Sequence, residues 1–188
     1  MSYPVAVAVS SVQAALNDSQ WDALIIVASG FTAVTELQSE INAAAVIDSR
    51  IGKETVLLLS SKVPGQRLVL SPTGPLDRDY DDVRSFYDAA KQGITQAKAA
   101  GAKSPALYVI APDSDVYQYA AEVAYLGACQ ALWQPLEGRE ARGEAIIEPV
   151  TQIGVVGVSE YQARYMDAVE AGKRVARDLC GTEPERMA

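Results

Sequence analysis

Alternation and periodicity along the chain divide most of it into strands and helices. Pro4 to Ser10 (PVAVAVS) alternates valine and alanine and predicts a strand, and Ala23 to Ala28 (ALIIVA) is a continuous apolar run, as in a strand buried on both faces. Val34 to Ile47 has apolar residues at Val34, Leu37, Ile41 and Ala44 or Ala45, a helical spacing that Thr32 or Thr35 could cap. Glu54 to Ser60 and Arg67 to Ser71 flank Val63-Pro64-Gly65-Gln66, where Pro-Gly offers a fixed φ and a positive φ, so the pair predicts an antiparallel hairpin.

The second half alternates in the same way. Asp79 to Ala100 carries Val83, Phe86, Tyr87, Ala90, Ile94 and Ala97 on one face, has aspartates at its start and stops at Gly101. Ala106 to Ala111 predicts a buried strand, and Asp115 to Trp133 a helix facing inward through Val116, Tyr119, Ala120, Val123, Gly127 and Ala131. Ala145 to Val150 and Gln152 to Val158 predict the last strands. Ser159 with Gln162 forms a capping-box pattern that opens a final helix, whose apolar face is Tyr161, Tyr165, Ala168, Val169, Gly172, Val175, Ala176 and Leu179. That face predicts a helix packed on the domain's own sheet. The order predicts a three-layer α/β/α sandwich with a mixed, mainly parallel sheet containing one hairpin. A single domain over residues 1–181 is expected, with 182–188, polar and proline-containing after Gly181, as the start of a linker.

Composition narrows the chemistry. The 188 residues contain no histidine, which excludes Ser-His-Asp, Cys-His and His-ligated metal sites. Cys129 and Cys180 have no CxxC spacing, fall in separate predicted helices and read as free thiols. Gly154 and Gly157 lie in or at the end of a strand rather than in a GxGxxG loop, and no GxxxxGK[ST] occurs, so strand packing is a better reading than phosphate binding. Asp77, Asp79, Asp81 and Asp82 lack the loop glycine and distal glutamate of an EF-hand and read as an acidic helix N-terminus. The tyrosines Tyr80, Tyr87, Tyr117, Tyr119, Tyr125, Tyr161 and Tyr165 are spread over three predicted helices and read as core and interface packing rather than base stacking. No catalytic, cofactor-binding or metal-binding residue is therefore assigned. A net charge of −8 opposes nucleic acid as a partner, and no run of apolar residues is long enough for a membrane helix.

Three stretches resemble the N-terminal domain of the leucyl (cytosol) aminopeptidase family. They are GKETVLLLSSKVPGQRLVLSPTG at Gly52 to Gly74, the helix Asp79 to Ala100, and AVEAGKRVARDLCGTEPERMA at Ala168 to Ala188. In the last, Ala176-Arg177-Asp178-Leu179, Thr182-Glu183-Pro184-Glu185 and Met187 follow the order of the family's interdomain segment, with Glu185 where an asparagine is usual. The resemblance implies a macro-domain-like fold and a non-catalytic assembly or regulatory role in a cytoplasmic metallo-aminopeptidase that releases N-terminal amino acids from peptides. It further implies a C-terminal catalytic domain as partner, two divalent metal ions (Zn or Mn) held there, and a homo-oligomer, hexameric in the parent. The catalytic signature of the family does not occur between Met1 and Ala188. An ADP-ribose-binding macro-like module and a DNA-binding accessory domain are the alternative readings.

Overall fold

The computed structural model describes residues 4–142 and 148–182. In chain order the elements are β1 (Val5–Val9), α1 (Val12–Asn17), β2 (Ala23–Ala28), α2 (Gln38–Ile47), β3 (Val56–Leu59), β4 (Arg67–Pro72), α3 (Arg84–Ala99), β5 (Pro105–Ile110), a 3₁₀ turn (Asp115–Tyr117), α4 (Ala120–Leu132), α5 (Leu136–Arg142), β6 (Gln152–Val156) and α6 (Glu160–Gly181). The six strands form one sheet in the order β1-β6-β5-β2-β4-β3, parallel throughout except for the β3/β4 hairpin.

Strand β2 shows how the layers arise. It pairs with β4 on one side and β5 on the other, and all six of its residues are buried. Because successive side chains point to opposite faces, Ala23, Ile25 and Val27 join the core under α3, α4 and α6, while Leu24, Ile26 and Ala28 join the core under α1 and α2. Both faces are therefore covered by helices, as the alternation of elements predicts.

Several boundaries differ from the sequence reading. α1, capped by Ser11 through a 3.1 Å bond to the Ala14 N–H, is too short to give a periodic signal. α2 starts at Gln38, not Val34, and has no side-chain cap; Val34 and Leu37 are buried before the helix begins. The hairpin turn puts its positive φ on Gln66 (59°) rather than on Gly65, which is needed for another reason: a Cβ there would lie 1.8 Å from the Asp22 carbonyl oxygen. α3 starts at Arg84, so the aspartates precede it rather than fill its first turn. Its end is as predicted: Gly101 at φ 87° donates to the Lys98 carbonyl and Ala102 to the Ala97 carbonyl, a Schellman closure. The strand expected at Ala145 to Val150 is not formed at Glu148–Val150, and residues 145–147 lie outside those described.

Candidate docking face between two helices

The final helix, α6, opens as its sequence predicts. Ser159 Oγ accepts from the Gln162 N–H at 3.2 Å, and Gln162 Oε1 accepts from the Ser159 N–H at 3.0 Å. The Gln162 amide also donates to Glu122 of α4 at 3.0 Å, tying the two helices together at this end.

Its orientation reverses the expectation. The apolar face predicted to lie on the sheet is turned outward: Tyr161, Tyr165, Val175 and Leu179 are all more than half exposed, and Ala168, Gly172 and Ala176 are exposed too. The inward face consists of Ala163, Met166, Glu170 and Arg174, with Asp167, Arg177 and Asp178 partly buried. Asp167 accepts from the Ala6 N–H at 2.7 Å and from the Tyr125 hydroxyl at 2.9 Å, which fixes α6 against the outer side of β1. Fully buried Glu170 accepts from Arg177 and lies 3.5 Å from Arg174 Nε. Arg177 also donates to Gln130 of α4 at 2.6 Å and lies over the Trp133 ring. Asp178 accepts from Trp133 Nε1 at 3.0 Å and pairs with Arg139 of α5 at 2.5 Å. A charged network therefore holds α6 to α4 and α5, and that anchoring frees its apolar side.

Ahead of α4, Val116 and Tyr119, expected inside, are more than half exposed; within the helix Ala120 and Gly127 are buried as expected, together with Ala124, Tyr125, Ala128, Cys129 and Leu132. The two outward faces meet in a groove of about 520 Å³ lined by Tyr119, Val123, Leu126, Tyr161, Tyr165 and Val169, with Glu122, Gln162 and Met166 completing the wall. Exposed aromatic and aliphatic groups gathered at a concave surface are the composition of a protein-docking site.

Burial also shifts two carboxyl groups of the domain. It holds the Glu170 carboxyl above the ordinary range, against the pull of Arg177 and Arg174, and it raises Glu148, which pairs with Lys98 at 3.5 Å. A carboxyl raised by folding contributes stability that is full below its unfolded pKa and is lost as pH rises through its folded pKa. In Glu148→Gln that loss is absent, so the stability of the variant relative to the parent chain is expected to increase with pH across this window. Urea midpoints taken at half-unit pH steps from 4 to about 7 measure it, and a difference that stays flat or falls contradicts it.

The other sequence features resolve into structure. Asp81 pairs with Arg78 at 2.8 Å and Asp82 with Arg84 at 2.6 Å, and each partner guanidinium holds its carboxyl below the ordinary value. Among the described residues, no group of three or more His, Cys, Asp or Glu is gathered closely enough to hold a metal ion. A Cβ on Gly154 would lie 2.9 Å from the Trp21 ring, so this glycine serves the packing of β6. Both cysteines are free; burial pushes the Cys129 thiol up to about 12, which leaves it unreactive. Of the tyrosines, Tyr117 and Tyr125 are core residues, whereas Tyr119, Tyr161 and Tyr165 form the groove. The described helices include none long and apolar enough to cross a membrane.

Comparison with known proteins agrees with this architecture. No family-level profile matches the chain. It is 35% identical, over 92% of its length, to a Caenorhabditis elegans protein named as an aminopeptidase, an activity that the name itself leaves unproven. In fold it is similar to a tomato leucine aminopeptidase (TM-score 0.65, 20% identity, 92% of this chain and 37% of that one). It is also similar to an Oceanobacillus iheyensis macrodomain (TM-score 0.53, 15% identity, 94% of this chain and 97% of that one). The chain spans about a third of the length of the two aminopeptidase-named proteins.

Proposed function

We propose that this chain, which resembles the N-terminal domain of the leucyl aminopeptidase family in sequence and in fold, is the non-catalytic assembly or regulatory domain of a cytoplasmic metallo-aminopeptidase. The observation that carries the reading is the 35% identity over 92% of this chain to only 35% of a protein named as an aminopeptidase. In this reading, residues 1–181 form the domain and 182–188 begin the linker. Peptide cleavage and the two divalent ions, Zn or Mn, belong to the remainder of the parent, which assembles as a hexamer. The apolar groove between α4 and α6 is the surface on which the remainder docks, since an exposed patch of this kind favours a partner that removes it from water.

The isolated chain is expected to give no turnover of a leucyl chromogenic substrate with excess Mn²⁺ or Zn²⁺, and activity that co-purifies with the protein peak would refute the assignment. In the longer parent, Tyr165→Glu is expected to lower activity or assembled mass at least about fivefold, while the same change shifts the stability of the isolated domain by under about 0.5 kcal/mol. A parent that assembles and works normally with Tyr165→Glu removes the groove from the proposal.

A further inference from the structure

Cations of the chain itself cover several of its aromatic rings. Arg78 lies 4.6 Å from the centre of the Tyr80 ring, Lys173 lies 5.8 Å from that of Tyr87, and Arg177 lies 5.7 Å from that of Trp133. A ring face attracts a cation through its quadrupole, so each contact engages a negative ring face. Tyr119, Tyr161 and Tyr165 differ. They stand in the α4/α6 groove, each more than half exposed, and among the described residues no cation lies over any of them.

The carboxylates of α4 and α6 divide in the same way. Glu170 pairs with Arg177, Asp178 pairs with Arg139, and Asp167 accepts from the Ala6 N–H and the Tyr125 hydroxyl. Glu122 is the one charged residue of the groove wall, and it enters none of the ion pairs among the described residues. It is nevertheless held in place. Its Oε1 accepts from the Gln162 amide at 3.0 Å, and the oxygen of that amide accepts from the Ser159 N–H at 3.0 Å in the capping box. The start of α6 thereby fixes a carboxylate in the same groove as three open tyrosine rings.

That combination selects its complement. No lysine or arginine lines the groove, and Val123, Leu126 and Val169 supply an apolar bed. An aliphatic side chain would fit the bed but leave the carboxylate and the ring faces unused, and an acidic one would be repelled. A guanidinium on a methylene stem answers all three features, because it stacks on aromatic faces, donates to a carboxylate and is more weakly hydrated than an ammonium. We propose that the groove receives an arginine side chain of the docking partner, its guanidinium held by Glu122 and the tyrosine rings and its stem on the apolar bed; this rests on the docking role given to the groove above and names the chemistry that role selects. Tyrosine and arginine are also residue types in which interface energy concentrates.

Two peptides test this on the full chain: acetyl-Ala-Leu-Arg-Leu-Ala-amide and its counterpart with citrulline, the neutral isostere, in place of arginine. Each is titrated to about 5 mM while the backbone amide resonances are followed by NMR. The arginine peptide is expected to bind at least about fivefold more tightly, with shifts centred around Glu122 and Tyr165. Glu122→Gln removes the charge and keeps an acceptor for Gln162, and Tyr165→Leu removes a ring and keeps apolar surface. Each should reduce the preference to under about twofold and leave citrulline binding within about twofold of the parent chain. Asp88→Asn, at an exposed acid of α3, should leave the preference intact, which separates the site from the net charge of −8. Equal affinities for the two peptides, no binding of the arginine peptide over this range, a preference that survives Glu122→Gln, or one that falls equally in Asp88→Asn overturns the arginine and leaves the docking role standing. That role fails separately, in a longer parent indifferent to Tyr165→Glu.

Discussion

Glu170→Ala is expected to lower the unfolding free energy by about 3–5 kcal/mol, because it leaves two guanidinium groups buried beside an empty position. Glu170 has no exposed surface and accepts from Arg177, with Arg174 close by. Leu179→Gln, about two and a half turns along the same helix and on its opposite side, at a side chain 53% exposed, is expected to change it by less than about 0.5 kcal/mol. The pairing inverts the usual rule that the leucine of a helix is the costly residue to lose and the glutamate the cheap one. Urea denaturation of both variants decides between the orientations. If Leu179→Gln proves the more damaging, α6 lies on the domain through its apolar side, and the exposed groove does not exist.

That inversion marks the limit of what the amino-acid pattern reveals. Strands β2 and β5 were legible as short, nearly continuous apolar runs, as a strand buried on both faces requires, and β4 was legible through the Pro64-Gly65 turn that joins it to β3. The caps of α3 and α6 were legible because Gly101 and Ser159 act through local backbone geometry, which does not depend on the rest of the fold. The face of α6 was not legible, nor was the exposure of Val116 and Tyr119 ahead of α4. Periodicity locates an apolar side but does not say whether the domain's own sheet or another surface covers it. A signal for the true inward face of α6 was present in Asp167, Glu170, Arg174 and Arg177, whose three- and four-residue spacings put acids and bases on one side. Such a row usually means a solvated face. Here Tyr125 and Gln130 of α4, Arg139 of α5 and the Ala6 N–H of β1 supply the partners that make burial tolerable, and all of them are distant in sequence. The candidate site was hidden for the same reason, since the groove is made of residues that pattern alone assigns to the core.

Two glycine-to-alanine substitutions in helices are expected to act in opposite directions. In the interior of a helix, alanine ordinarily gains about 0.5–1 kcal/mol over glycine, since it restricts the unfolded chain and fits the helical backbone. Gly172 of α6 faces open space, with nothing within 4 Å of an added Cβ, and Gly172→Ala should show that gain. Gly127 of α4 lies against α3, and an added Cβ would sit 2.3 Å from the Tyr87 carbonyl oxygen and 2.9 Å from its Cα. Those atoms belong to a helix backbone whose other side is fixed to the sheet by Phe86, Ala90 and Ile94, so α3 cannot retreat without disturbing the core above Ile25 and Val69. Gly127→Ala is therefore expected to cost about 1–3 kcal/mol in spite of the helix preference. It should also disturb the groove, because α4 carries Tyr119, Val123 and Leu126 into it and α4 is the element that must move. Urea midpoints for the two variants give the sign of each effect, and the near-ultraviolet circular dichroism of the groove tyrosines reports the displacement. A gain in stability for Gly127→Ala would show that α3 and α4 do not approach so closely, and would remove the rigid support on which the groove depends.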